Sequence, residues 1–353
     1  MLKKIRYIRT AVFLGWALCL AACQNEELDR KTGSLRISAF AYEGQVVSRG
    51  YSEFTNVYGA SAANPLVMPL WAQLEGVVLQ SSASYNGGEW STSCRLEPGT
   101  YDFYSYLPQS ITNDGVTVNL TPSTSTTPAT VTFKNVAAVQ DKDILLSVAT
   151  PSGNETTTNN PFDQVITGEE NQIVTFRMDH ILAKLSLSFS NPAGKSFSDM
   201  RKIVVKRLEL YPETSGSKHD VACTMGQTIT YAWTPTPGPT DDYFINDNTE
   251  FTINGKKAYG YLVEQNASKA YCSCYMVPFN NNKIKIRVIY DVYTHDGSLI
   301  RDNEISVNNN LTISNTSTVA AGMEYKINIK IIPDYLYMLS DVDAGTSLEI
   351  KTN

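Results

Sequence analysis

Proton transfer near neutral pH falls first to histidine, and the chain holds three, each alone. His180 stands at the junction of two strand-like runs, where a packed or hydrogen-bonded structural ring is expected. His219 lies in the polar stretch SGSKHD, which reads as a loop, and His295 in THDGS, where Asp-Gly spells a two-residue hairpin turn. Asp141 and Asp143 in VQDKDILL are the nearest thing to a carboxylate pair, but they flank a strand, where acids are ordinarily solvated. The sequence has no Gly-x-Ser-x-Gly elbow, no His-Glu-x-x-His, no phosphate-cradling glycine loop and no paired metal-ligand spacing. No nucleophile, acid–base pair or metal set is spelled out, so neither catalysis nor a cofactor is expected.

A different chemistry is written at the start. Lys3, Lys4, Arg6 and Arg9 precede an apolar run from Ala11 to Ala22, far short of the roughly 20 residues needed to cross a bilayer. A basic stretch, a short apolar stretch and small residues before a cut site describe a secretory signal over residues 1–22. The cut site, Leu20-Ala21-Ala22-Cys23, resembles the lipobox of bacterial lipoproteins, with Cys23 supplying the thiol that takes the lipid. Several acyl chains on one residue hold a protein firmly at a membrane, whereas one holds it weakly. Later apolar runs are all broken by polar residues, so the remainder is expected to be exported and soluble. Removing the four basic residues of the signal from the chain's 29 leaves 25 against 35 acids, a balance of −10. That sign argues against nucleic acid or an anionic lipid surface as partner.

Six cysteines are present, and Cys19 leaves with the signal while Cys23 is modified. Cys94, Cys223, Cys272 and Cys274 remain, in a compartment that permits disulfides. Spacing does not choose among their pairings. Cys272 and Cys274 share one face of a strand, awkward for bonding each other, so buried free thiols or a single bridge to Cys223 are expected. A zinc site would need a second close pair and histidines nearby, which are missing.

The elements that must position these residues read as β. Tyr, Thr, Val and Ile are abundant and turn residues recur at short intervals. LRISAFAY alternates Leu35, Ile37, Ala39 and Ala41 against Arg36, Ser38 and Phe40. TYDFYSYL sets Tyr101, Phe103 and Ser105 against Asp102, Tyr104 and Tyr106. The same period of two marks QIVTFRM (172–178), KLSLSFS (184–190), KIVVKRLELY (202–211), YCSCYMV (271–277), KIKIRVIYDVY (283–293) and EYKINIKII (324–332). Many short strands between turn signals predict an all-β protein of sandwich domains. TPSTSTTPAT (121–130), PSGNETTTNNPFDQ (151–164) and WTPTPGPTDD (233–242) read as loops, the second approaching a domain boundary. The four Trp and 20 Tyr would suit carbohydrate if they lined one exposed face; otherwise they are ordinary strand residues.

Several of these stretches together resemble the fimbrillins of Bacteroidales, the FimA/Mfa-like pilins of type V pili. They are LRISAFAYEGQVVSRG, GTYDFYSYLP, VQDKDILLSVA and above all VTFRMDHILAKLSLSF, a strand, a His, an Ala-Lys and a second strand. The likeness covers residues 35 to about 210 in order and spacing, and the later half in style. It implies two tandem transthyretin-like β-sandwich domains, 50–175 and 176–353, behind a signal (1–22) and an acylated propeptide (23–49). In such pilins an Arg-specific protease removes the propeptide and its lipid anchor. Arg49-Gly50 occupies the matching place, although many relatives carry Ala or another small residue after the arginine. Arg30 and Arg36 are rival sites. The resemblance further implies other pilin subunits as partners, an outer-membrane precursor, a fimbrial mature form and a host or bacterial surface ligand.

The physics of such a device can be stated independently. LRISAFAY is an amphipathic strand whose inner face, Leu35, Ile37 and Ala39, should fill a seam in the first domain. Excising it would expose backbone donors and acceptors along with an apolar groove, an edge that invites a strand from elsewhere. The tail 333–353, after Pro333, either supplies that strand to a neighbour or folds back as a hairpin on its own domain. In the second case a tip subunit at the end of a pilus is favoured over a stalk subunit. Gln24-Asn25-Glu26-Glu27 resembles an acidic export tag for the outer face of the membrane. The competing expectation is a permanently anchored surface lipoprotein, either a pilus anchor or a module that binds glycan or host protein.

Overall fold

The computed structural model describes residues 32–42, 60–148, 162–191, 201–212, 218–225, 229–236, 243–264, 269–313, 317–332, 335–342, 346–347 and 350–351. Cys23, Arg49 and Gly50 lie outside the described residues. The architecture is all-β, as the period-two runs require. The first half supplies β1 (Gly33–Tyr42), β2 (Leu66–Leu74), β3 (Val77–Tyr85), β4 (Trp90–Thr92), β5 (Arg95–Leu96) and β6 (Gly99–Leu107). After a 3-10 helix at Gln109–Asp114 come β7 (Thr117–Thr121), β8 (Thr130–Ala137), β9 (Val139–Gln140), β10 (Leu145–Val148), β11 (Gln164–Ile166) and β12 (Gln172–His180). Then follow β13 (Ala183–Ser190), β14 (Arg201–Pro212), β15 (Lys218–Thr224), β16 (Thr230–Thr236), β17 (Tyr243–Asn246), β18 (Glu250–Ile253) and β19 (Lys256–Tyr259). The last group is β20 (Tyr261–Leu262), β21 (Lys269–Met276), β22 (Lys283–Thr294), β23 (Leu299–Thr312), β24 (Glu324–Ile332), β25 (Tyr335–Val342), β26 (Thr346–Ser347) and β27 (Ile350–Lys351).

Nine strands form one sheet in the order β4-β3-β2-β6-β10-β12-β1-β5, with β11 attached to β6. It curls until β1, near one end of that order, packs against β4 at the other. Both faces are apolar. Along β6, Tyr101 and Phe103 enter a core with Met68, Leu70, Val174 and Phe176. Tyr104 and Tyr106 enter a second core, which a four-stranded sheet of order β16-β15-β8-β7 covers from the other side. Phe103 meets Phe176 edge-on at 6.3 Å, and Tyr106 meets Phe133 edge-on at 5.6 Å, the geometry that ring quadrupoles favour.

The later half packs a seven-stranded sheet against a five-stranded one, through β13, β21 and β24 on one side and β14 and β22 on the other. The two halves exchange strands. β15 pairs with β8, and its Val221 and Cys223 fill the second core, while β9 pairs with β21.

Several sequence expectations are corrected here. His219 is in β15 and 4% exposed, because the polar spelling SGSKHD conceals the alternation His219-Val221-Cys223 that starts within it. Trp233 to Thr236 continue β16, so the loop expected from 233 begins no earlier than 237. Asp143 is 2% exposed rather than solvated: it accepts from the Ile144 N–H at 2.8 Å and meets the His180 Nδ1. Asp141 is exposed. His295 occupies a four-residue connection, 295–298, between β22 and β23, closed by Thr294 N–H to Ser298 C=O at 2.8 Å. Cys94, Cys223, Cys272 and Cys274 are free thiols, and burial pushes Cys223 and Cys272 up to about 12, which leaves them protonated and unreactive.

Candidate assembly site: the first strand and its slot

β1 is built by alternation. Leu35 and Ile37 are 4% and 7% exposed and lie in the core with Met68, Phe103 and Phe176, Ala39 packs half-buried against it, and Arg36 and Ser38 face solvent. Its ladder is uneven. Leu35 to Tyr42 pair in parallel with Gln172 to Asp179 of β12, while on the other edge, among the described residues, Gly33 and Ser34 pair with Leu96 and Arg95 of β5 and the Leu35 N–H donates to the Cys94 C=O at 3.2 Å.

β12 depends on this arrangement. Its far edge pairs with β10 only from Arg177 to His180, so among the described residues β1 is the ladder partner of Gln172 to Phe176. Removing β1 would bare that backbone and the apolar floor beside it.

The N-terminal end of β1 is clamped. Ser34 N–H reaches Glu170 at 3.2 Å, Ser34 Oγ also meets that carboxylate, and Asn171 N–H donates to Ser34 Oγ at 3.1 Å. Arg95 pairs with Glu170 and donates to Thr32 C=O at 2.9 Å. The Ser34 hydroxyl, then Arg95, hold the Glu170 carboxyl below the usual range. A Cβ on Gly33 would lie 2.1 Å from the Glu169 carbonyl, so the approach of β1 to residues 168–169 admits glycine alone.

At the opposite end of the chain, β25 pairs antiparallel with β24, from Lys326↔Asp341 to Ile332↔Tyr335, and β26 and β27 pair with β25. The tail's backbone is therefore engaged within its own chain. His180, at the end of β12, is tied to buried Asp143, a pairing across 37 residues for which local spelling carried no signal. Arg177 and Asp179 of β12 form an ion pair at 3.2 Å, yet burial outweighs the arginine and raises the Asp179 carboxyl above its ordinary value.

His219 sets a pH limit on the hairpin β15–β16. Burial lowers its basicity from an ordinary 6.5, and the charge of Asp220 opposes this only in part. A depressed histidine contributes stability above its unfolded value and loses it as pH falls toward the folded value. The melting temperature should therefore fall between about pH 7 and pH 5, and His219→Gln should flatten that slope in a thermal-denaturation series.

No family model and no curated sequence matches the chain. Solved structures do. A fimbrial protein from Bacteroides vulgatus superposes with a TM-score of 0.52 at 14% identity, covering 91% of this chain and 98% of its own. A candidate cell adhesion protein from Bacteroides uniformis gives 0.47 at 12% identity, over 88% of this chain and 99% of its own. The fimbrial anchor protein Mfa2 from Porphyromonas gingivalis gives 0.33 at 10% identity, over 90% and 99%. Only the first is near enough to bear on architecture, and at that identity the likeness is one of fold: this chain is built as the Bacteroides vulgatus fimbrial protein is built.

Proposed function

We propose that the chain is a fimbrial subunit, made as a lipoprotein through Cys23 and assembled by strand exchange once an Arg-specific protease cuts at Arg49-Gly50. The observation that carries this reading is the seat of β1: an amphipathic strand, near the start of the chain, with buried Leu35 and Ile37, a long ladder to β12 on one side and a short one to β5 on the other. Each of those two side chains contributes about 1.5–3 kcal/mol when buried. Each restored backbone bond adds about 0.5–1.5 kcal/mol. A strand from a neighbouring subunit could recover both terms in the vacated slot, and the uncut precursor, already filled, could not. The first 49 residues then act as address and plug, the two sandwich units divide near 175/176 with β15–β16 crossing back, and adhesion takes place at the cell surface.

The engaged tail favours a terminal position. A subunit whose β25 is paired at home has a slot to be filled but, among its described tail residues, no free strand to give, so it caps a fibre. Cut at Arg49, it would do so as a tip; a chain that kept the lipid on Cys23 would keep β1 in the slot as well, and as an anchor in the outer membrane would meet the fibre through a surface other than that slot. Mass spectrometry of sheared surface fibres decides between these. A mature chain starting at Gly50 is expected; an acylated start at Cys23 in the assembled material would overturn the cutting step and leave the anchored form.

A further inference from the structure

The hairpin β15–β16 has more surface on its inner face than the core uses. Cys223 lies opposite Tyr231, Val221 opposite Trp233, and His219 opposite Pro235, and directly opposed residues on antiparallel strands share a face. At the Val221 and Cys223 end that face is sealed in the core. Toward His219 it opens on a cavity of about 850 Å³, closed on the far side by Pro278–Asn281 and Thr318–Ala321. Phe279 is fixed in that wall by reciprocal backbone bonds with Val319, both 3.0 Å.

The lining has a definite chemistry. Tyr231, Trp233 and Phe279 offer half-buried aromatic surface, and Asn280 offers an exposed amide, whereas the Asn281 Oδ1 accepts from the Lys283 N–H at 2.9 Å. Among the described residues no Asp, Glu, Lys or Arg lines the cavity, in a chain with 64 such residues counted as 29 basic and 35 acidic. His219, 4% exposed, forms part of the wall, and its Nδ1 has no hydrogen-bond partner. A buried polar atom left unpaired is costly and calls for an explanation.

We propose that this cavity binds a neutral saccharide, a sugar ring lying on the aromatic wall while its hydroxyls meet the exposed Asn280 amide and the His219 ring. A charged ligand would lose its hydration without gaining an ion pair. A proline-rich segment also suits aromatic grooves, but its carbonyls only accept hydrogen bonds. A hydroxyl donates or accepts, and so satisfies an imidazole nitrogen in either tautomer. The volume falls within the range of small-molecule sites and has room for one or two sugar rings.

This inference rests on the adhesive part of the proposed function and not on strand exchange, since none of its residues belongs to β1 or its slot. The test uses the full chain in saturation-transfer NMR with methyl glycosides of glucose, galactose, mannose and N-acetylglucosamine, and on an array of neutral and anionic oligosaccharides. At least one neutral sugar should bind. Asn280→Ala, at an exposed position, should weaken it by about tenfold with an unchanged melting temperature, and Trp233→Phe should weaken it by a similar factor. Failure of every neutral sugar, binding only of anionic ones, indifference to both variants, or displacement by a proline-rich peptide in their place would each overturn the proposal. A chain that binds sugar yet never polymerises would overturn the assembly reading alone, and fibres indifferent to sugar would overturn this one alone.

Discussion

Ile37→Asp should eject β1 from its slot and make the uncut chain associate. Ile37 is 7% exposed, lies beside Val174 in the parallel register and belongs to the core that holds Phe103 and Phe176. The substitution removes about 1.5–3 kcal/mol of burial. It also places a carboxylate where no cation is packed, so the side chain must leave or be protonated. Because, among the described residues, β1 is paired along one edge beyond Leu35, it can detach by giving up only a short second ladder to β5. Size-exclusion chromatography should show a monomer for the parent chain and, for the variant, a lower melting temperature and oligomers joined edge to edge through the bared β12, since the paired tail gives no strand. Adding the peptide GSLRISAFAY should restore the monomer by filling the slot in trans. Ser38→Asp, on the outer face, should shift stability by no more than about 0.5 kcal/mol. An Ile37→Asp chain that stays monomeric with its melting temperature intact would remove the basis of the strand-exchange reading.

The second large effect is expected at Val221→Asp. Val221 is fully buried in the core with Trp71, Tyr106 and Phe133, yet it arrives on a hairpin that follows β14 of the later half. An unpaired charge there should cost about 3–5 kcal/mol, a large part of a typical domain's stability. The loss should appear in the first half's aromatic signals. Near-UV dichroism from the Tyr104, Tyr106 and Trp71 environment should collapse as the hairpin leaves β8. Thr230→Asp, exposed on the same hairpin, should leave the spectrum and midpoint nearly unchanged. If Val221→Asp instead disturbed only the sheets around β14 and β22, the exchanged hairpin would not be what closes the first half.

Period-two alternation was enough to place the main strands, because which side chains face a core is decided within a few residues. EYKINIKII spans β24 residue for residue, and LRISAFAY placed Leu35 and Ile37 on the inner face of β1. Alternation also explains the hidden failures. In TYDFYSYL both faces of β6 are apolar, and the sequence could not say that Tyr104 and Tyr106 enter a different core from Phe103. His219 was lost in a polar run because only its partners in β8 and β16 make that run a strand.

Partner choice belongs to the tertiary structure. That β1 lies parallel to β12, 137 residues away in the Leu35↔Gln172 pair, has no local spelling, since a parallel partner must be reached by a long crossover. The union of Asp143 with His180 and the pairing of β25 with β24 rather than with a neighbour were decided there too. By itself the sequence determined which residues alternate and what residues 1–23 offer as chemistry. Which edge each strand satisfies was left to the folded chain, because backbone hydrogen bonds carry no side-chain identity and are allotted only when every sheet is assembled at once.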